Sequence, residues 1–257
     1  MRIFIFSGAG LDAESGISTF RDANGLWENH DIMEVCNIRT FANNYDTTHR
    51  FYNQRRVDLA NVEPNSAHFK IAELCKKFDV DNYTANVSDL LERAGCEDVK
   101  HIHGFLPEIV LDYGSPEPEI VNIGYTEHKL RKGRKDKPNV VFFGEGAPMY
   151  TQFWGDIDTL LPTDIVIIVG STLEINPIHW DIPSTGAKFI LINPTGIDTE
   201  KHTSLNEAIR MCDVFIQKPA TEAFDEIDQH INEHIDLHYP DGLPDRFIRD
   251  RSGYFDY

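Results

Sequence analysis

Strand-like blocks of mostly apolar residues recur along the chain at Ile3–Phe6, Val80–Thr84, Val99–Ile102, Val140–Phe143, Ile165–Val169, Phe189–Ile192 and Val214–Ile216. Short, largely continuous apolar runs of this kind suit strands buried on both faces, and several are separated by stretches with helical spacing. The alternation predicts an α/β fold, a mostly parallel sheet with helices on both faces. Two stretches break the rhythm. One reads as helices, TTHRFYNQRRVDLA and then NSAHFKIAELCKKF, the second opened by the cap signal of Pro64-Asn65. The other, 107–138, is rich in proline, glycine and charge. We expect 31–74 and 107–138 to pack together as a small domain. They interrupt a Rossmann-like domain built from 1–30, 75–106 and 139–235, with a ligand in the cleft between the two. Residues 236–257, DLHYPDGLPDRFIRDRSGYFDY, form a tail with aromatic residues among charges, suited to fold back on the body or to an oligomer contact.

The first block runs straight into Gly8-Ala9-Gly10-Leu11-Asp12-Ala13, which fits the G-x-G-x-x-G/A turn. Such a turn lets backbone N–H groups approach a pyrophosphate at a helix N-terminus. A hydride-transfer enzyme should follow it with a second strand ending in an acid about 20 residues on. Here Trp27–Asp31 reads WENHD with no strand before it. The string GAGLDAESGISTFRDANGLW instead resembles the opening motif of the sirtuins, the NAD-dependent protein-lysine deacylases. PNSAH, YTANVSDLLERAG, HIHG, NVVFFGE, VGSTLEINP and LINP resemble further sirtuin blocks, in family order, to about residue 220. The resemblance is closest to the class III, bacterial-type branch, whose members remove succinyl and malonyl as well as acetyl groups.

Composition narrows the setting. The 257 residues are 41% hydrophobic, with apolar runs far shorter than the roughly 20 residues of a membrane helix. A strand that begins at Ile3 leaves no room for a leader, so the expected location is cytoplasmic. A formal net charge of −18 argues against general nucleic-acid binding and suits approach by lysine-rich substrates. Cys36, Cys75, Cys96 and Cys212 form no C-x-x-C pair, and Pro107–Pro138 holds no cysteine. Most sirtuins carry a four-cysteine structural zinc in that segment, so this chain is expected to bind no metal. The same segment carries Lys129, Arg131, Lys132, Arg134, Lys135 and Lys137, a charge run that reads as a solvated loop, as a site for an acidic partner, or as a match for the protein's own acidic residues.

His103 stands before Gly104 at the end of a strand-like block, and imidazole titrates near the pH where a general base is useful. Its match to the family's H-G motif implies that it is the base. In that chemistry the acyl oxygen attacks the ribose as nicotinamide leaves, and a ribose hydroxyl is deprotonated so that the acyl group can migrate. His101, two residues away, faces the other side of the strand. The resemblance pairs Asn86 with His103 in catalysis. It assigns NAD contacts to Gly8, Ala9, Gly10, Ala13, Ser15, Phe20, Arg21, Trp27, Ala85, Asn86, Ser88, Gly170, Ser171, Thr172, Asn193 and Ala220. Tyr52 and Arg55 lie at i and i+3 on one helix face, where a phenol and a guanidinium can hold one carboxylate. They match the Y-x-x-R that binds the acid end of a succinyl- or malonyl-lysine. Phe143, Gly144, Glu145 and Ile175 match the two edges between which the substrate peptide adds as a strand.

Four positions depart from the family. Ala85 replaces a glutamine, and Ser88 replaces the aspartate that holds the nicotinamide carboxamide. Asp12 replaces a serine, placing negative charge near the expected pyrophosphate unless it caps the following helix. Ser18 replaces a proline. The leading reading is an NAD-dependent protein-lysine deacylase acting on acyl-lysine proteins. NAD glycohydrolysis or ADP-ribosyl transfer, and an NAD- or ADP-ribose-binding module without turnover, stand beside it.

Overall fold

The computed structural model describes residues 1–17, 26–27, 30–198 and 200–244, so the loop residues Phe20 and Arg21 lie outside the described residues, as does the side chain of Trp27. The strands are β1 (Arg2–Ser7), β2 (Leu26–Trp27), β3 (His30–Asp31), β4 (Asp79–Thr84), β5 (Val99–His101), β6 (Gly104–Leu111), β7 (Glu119–Asn122), β8 (Lys137–Val140), β9 (Ile165–Val169), β10 (Lys188–Ile192) and β11 (Val214–Ile216). Six of them form a parallel sheet in the order β11-β10-β9-β1-β4-β5. β6 lies between β7 and β8 in a separate antiparallel sheet.

The central strands β1, β9 and β10 are buried on both faces, as their apolar runs require. Ile3 and Ile5 of β1 point into one core layer with Ile165, Ile167 and Val169. Ala67 and Ile71 of the helix Ser66–Lys77 and Phe224 and Ile227 of the helix Ala220–His238 cover that layer. Phe4 and Phe6, with Val166 and Ile168, point the other way onto Phe153, Ile157, Leu205 and Ala208. A helix therefore protects each face, and the carboxyl ends of the strands remain open for a site.

Two expectations are corrected. The helix Ser66–Lys77 straddles the boundary expected between residues 74 and 75, and it packs on the parallel sheet rather than with 107–138. Its apolar side, Ala67, Ile71, Leu74 and Cys75, completes the core beneath β1, which a helix assigned only by its period cannot reveal. The Val140–Phe143 block is not a strand of the parallel sheet. Val140 ends β8, which pairs with β6, and Phe143 makes an isolated bridge to Asn37. Composition alone does not state which sheet an apolar run joins.

The segment 107–138, rich in proline, glycine and charge, contains β7 and most of β6, and a charged hub anchors its far end. Asp136, wholly buried, accepts from Arg131 Nε and Nη2 at 2.8 and 2.5 Å, from the Asp112 N–H at 3.1 Å, and meets His128 Nε2 at 3.0 Å. Its backbone is held as well: its N–H donates to the Tyr45 hydroxyl and its carbonyl accepts from His49 Nε2 at 2.9 Å. Arg131 and Arg134 also face Asp112, and Lys137 is buried 2.9 Å from Glu145. Half of the basic run is thus spent on the protein's own carboxylates. From the other side, buried Arg56 donates to the carbonyls of Leu106 and Glu108, tying the helix Tyr45–Leu59 to β6. Among the described residues no group of three or more His, Cys, Asp or Glu side chains is placed to hold a metal ion, and no helix is long and apolar enough to cross a membrane.

Candidate active site

The strand order reverses at β1: the chain steps to β4 and β5 on one side and reaches β9, β10 and β11 on the other. Ligands of open α/β sheets bind at the carboxyl ends flanking such a switch. Here the turns after β1 and β9 abut. The Gly8 N–H donates to the Val169 carbonyl at 2.9 Å and the Gly10 N–H to the Gly170 carbonyl at 2.8 Å. A Cβ at Gly10 would lie 2.7 Å from Gly170 Cα, and one at Gly170 would lie 2.5 Å from the Leu11 nitrogen. The glycines' first task is therefore to let two backbones touch, and the two N–H groups are used inside the protein rather than aimed at a phosphate.

The loop after β4 crosses these turns. Asn86 donates from Nδ2 to the Gly8 carbonyl at 3.0 Å, and its N–H donates to Thr84 Oγ1, which itself receives the Ser7 hydroxyl at 2.8 Å. His103 follows β5 and hydrogen-bonds the backbone of Ala85, while its Nε2 lies 3.1 Å from the Tyr150 hydroxyl. Tyr150 in turn accepts from Asn176 Nδ2 at 3.1 Å. In the neutral tautomer with its proton on the other ring nitrogen, the imidazole presents an Nε2 lone pair, the form a base needs. Burial pulls the imidazole below its ordinary value, and the Ala85 bond opposes that shift. Gly104, φ +89°, is required because a Cβ there would lie 2.2 Å from the Asn139 carbonyl oxygen. His101 is committed elsewhere, with Nδ1 2.8 Å from the Asn86 carbonyl and Nε2 2.7 Å from Glu92.

The remaining expected cofactor residues divide into two groups. Ala85, Asn86 and Ser88 share the β4 loop, and Gly170, Ser171 and Thr172 form the β9 turn. Asn193, nearly buried, bridges that turn to the next by donating to the Ser171 carbonyl and accepting from the Thr195 N–H. Ser15 receives Asn65 Nδ2 at 3.1 Å, and Ala13 is exposed. Ala220 opens the long helix, but its side chain packs in the core beneath the sheet. Asp12 does not cap a helix. It sits inside the helix Ala9–Ala13, almost fully buried, and its carboxylate is held by His68 and Ser88.

Of the residues expected to line a peptide edge, Phe143 and Ile175 are exposed at 38% and 50%, whereas the Glu145 carboxylate is occupied by Tyr113, the Phe142 N–H and Lys137. Gly144, φ +88°, packs against Ile38. Tyr52 is fully buried and stacked on Phe142 at 5.7 Å between ring centroids. Arg55 lies over the Phe51 ring and pairs with Asp58 at 2.7 Å. The two residues lie one turn apart on one helix and share Phe51, whose ring centroid is 5.1 Å from that of Tyr52 and 5.2 Å from Arg55 Cζ. Sequence reasoning missed Tyr150 and Asn176: a tyrosine opening an amphipathic helix and an asparagine before a proline carry no distinguishing signal in one chain.

The Sir2 family pattern matches residues 8–177, and the chain belongs to that family. It is 35% identical over 255 residues to the NAD-dependent protein deacylase of Helicobacter hepaticus, covering 90% of this chain and 98% of the relative. To the NAD-dependent protein deacylase of Campylobacter jejuni strain RM1221 it is 44% identical over 183 residues, covering 68% and 76%. Among solved structures it resembles an ADP-ribose complex of a Sir2 homologue carrying a point mutation, with a TM-score of 0.75 and 27% identity over 92% of this chain and 94% of that one. It also resembles a Sir2 homologue–NAD complex, with a TM-score of 0.72 and 27% identity over 90% of each chain.

Proposed function

We propose that the chain is an NAD-dependent protein-lysine deacylase in which His103 is the general base. The observation that carries this is the site itself: at the switch point of the sheet, a histidine with its Nε2 3.1 Å from a tyrosine hydroxyl stands beside an asparagine and two abutting glycine turns. Bound NAD supplies a labile glycosidic bond to nicotinamide and an ADP-ribose that accepts the acyl group. The residues that would hold it are Asn86, Ser171, Thr172 and Asn193 at the strand ends, with the backbone of the Gly8–Gly10 turn close beneath. Asn86 orients the reacting end through a side chain already fixed on Gly8. His103 Nε2 receives a proton from a ribose hydroxyl, and Tyr150 yields that nitrogen as the hydroxyl approaches. Phe143 and Ile175 grip the peptide.

The finer reading is a preference for succinyl- and malonyl-lysine, supported by the placement of Tyr52 and Arg55 one turn apart on the helix Tyr45–Leu59. For Arg55 to take an acyl carboxylate, it exchanges Asp58 for the substrate. We assign the reaction to the cytoplasm and expect it to need no zinc. A mass spectrum of the products from NAD, with and without a succinyl-lysine peptide, tests the function. O-acyl-ADP-ribose with free lysine is expected; plain ADP-ribose in both reactions would make the protein an NAD glycohydrolase.

A further inference from the structure

Ser88 stands where the family has an aspartate, and Asp12 where it has a serine. The structure brings these two departures into contact: Ser88 Oγ donates to Asp12 Oδ2 at 2.6 Å. Two replacements that look damaging one at a time therefore meet in this chain as one hydroxyl and one carboxylate, brought together by the segments that follow β1 and β4. We propose that Asp12 supplies the carboxylate that recognises the carboxamide and cationic ring of NAD's nicotinamide, and that Ser88 aims it; this rests on the deacylase reading above.

The surroundings are built for a functional carboxylate rather than for a solvated one. Asp12 is 4% exposed, Ser88 8% and His68 0%. His68 Nδ1 accepts the Asn65 N–H at 3.1 Å, so its proton lies on Nε2, which donates to Asp12 Oδ1 at 3.1 Å. Asn65 is itself fixed, donating to the Leu11 carbonyl at 2.8 Å. Among the described residues, the Asp12 carboxylate is thus held by two neutral donors and faces no arginine or lysine. A carboxylate has about four lone-pair sites, so these bonds leave acceptor capacity unused. Keeping a buried anion without a cation is costly unless a ligand completes it. A primary amide offers two N–H donors and the oxidised nicotinamide ring carries positive charge, which together match what the carboxylate lacks.

Position agrees with chemistry. Residues 85–88 hold the base through Ala85, the Gly8 turn through Asn86 and the carboxylate through Ser88, so one four-residue loop brings all three to the same strand ends. The adjacent carboxylate does not compete for the role. Asp89 faces the Tyr125 hydroxyl and Arg93 instead.

The test compares NAD with ADP-ribose, which lacks the nicotinamide, by calorimetric titration of the full chain, followed by nicotinamide release. Asp12→Asn should weaken NAD binding about tenfold, the loss of one charge-assisted contact, while ADP-ribose binding stays within about twofold. Ser88→Ala should weaken NAD by less, because the carboxylate remains. The reciprocal double variant Asp12→Ser with Ser88→Asp should return NAD affinity and nicotinamide release to within about threefold of the parent. Equal losses for NAD and ADP-ribose in Asp12→Asn, or a double variant no better than Asp12→Asn, would overturn the proposal and leave Asp12 a scaffold of the turn. A parent protein that binds neither ligand would overturn the deacylase reading itself, and this inference with it.

Discussion

The Tyr150 hydroxyl lies 3.1 Å from His103 Nε2 and 3.1 Å from Asn176 Nδ2, so the His103 imidazole is the end of a side-chain relay that begins beside Ile175. A tyrosine that accepts from an amide has its own proton free to give, and Nε2 can take that hydrogen bond only when the nitrogen is unprotonated. The neutral form of His103 is thereby favoured in the resting protein, in agreement with the downward pull of burial.

His103→Ala should keep NAD binding and lose roughly 10²–10⁴-fold in deacylation, the range for removing a general base. Because the base works unprotonated and lies below its ordinary value of 6.5, kcat/KM should rise with pH and level off with a midpoint under that value. Tyr150→Phe should cost about three- to tenfold and move the midpoint upward, since a bond that stabilises the neutral ring is gone. An unshifted profile in Tyr150→Phe would reduce the relay to packing.

Acyl preference is tested at Arg55. If Arg55 holds the distal carboxylate of a succinyl group, Arg55→Met removes a contact worth about 1.5–3 kcal/mol. Acetyl-lysine has no such carboxylate, so the ratio of succinyl to acetyl kcat/KM should fall at least about tenfold. Equal losses on both substrates would make Arg55 a scaffold residue, held as it is by Asp58 and Phe51.

Acid should loosen the module around Asp136. Burial pushes His49 down to about 4, below its unfolded value of 6.5. The unfolded chain therefore binds more protons between those values, and stability falls as pH drops from 6.5 toward 4. This group alone accounts for on the order of 2–3 kcal/mol. Asp136, held down to about 2 mainly by Arg131 against its burial, contributes stability that persists above about 4 and is lost as pH falls toward 2. Melting curves of the parent and His49→Gln between about pH 4 and 7 check the first part: the variant should show the shallower dependence.

Asp136→Asn keeps the shape but takes the charge from Arg131 and His128, and should lower the melting temperature by more than about 5 °C. A strong chelator should leave the parent's melting temperature unmoved. A chelator-sensitive transition, or one zinc per chain by elemental analysis, would show that a metal holds this module.

Much of the parallel sheet was legible because continuous apolar runs such as Ile165–Val169 have one stable use, burial between two helical layers. The Asn65 cap and the i,i+3 placement of Tyr52 and Arg55 were legible for a similar reason: local geometry follows from local residues. The hub at Asp136 was not, since its carboxylate is surrounded by groups from distant stretches and a charge run reads the same whether solvated or paired. The Asp12–Ser88 contact was also invisible, because each replacement can be judged only against the other, 76 residues away.

The contact of Gly8 and Gly10 with Gly170 bears on biosynthesis. β1 is made before its partner β9, and the turn that completes the site is specified far later in the chain. At translation rates of about 5–20 residues per second, the first turn waits on the order of ten seconds before the backbone it must touch exists. An arrested nascent chain shorter than that point carries the signature motif but no floor on which NAD can lie.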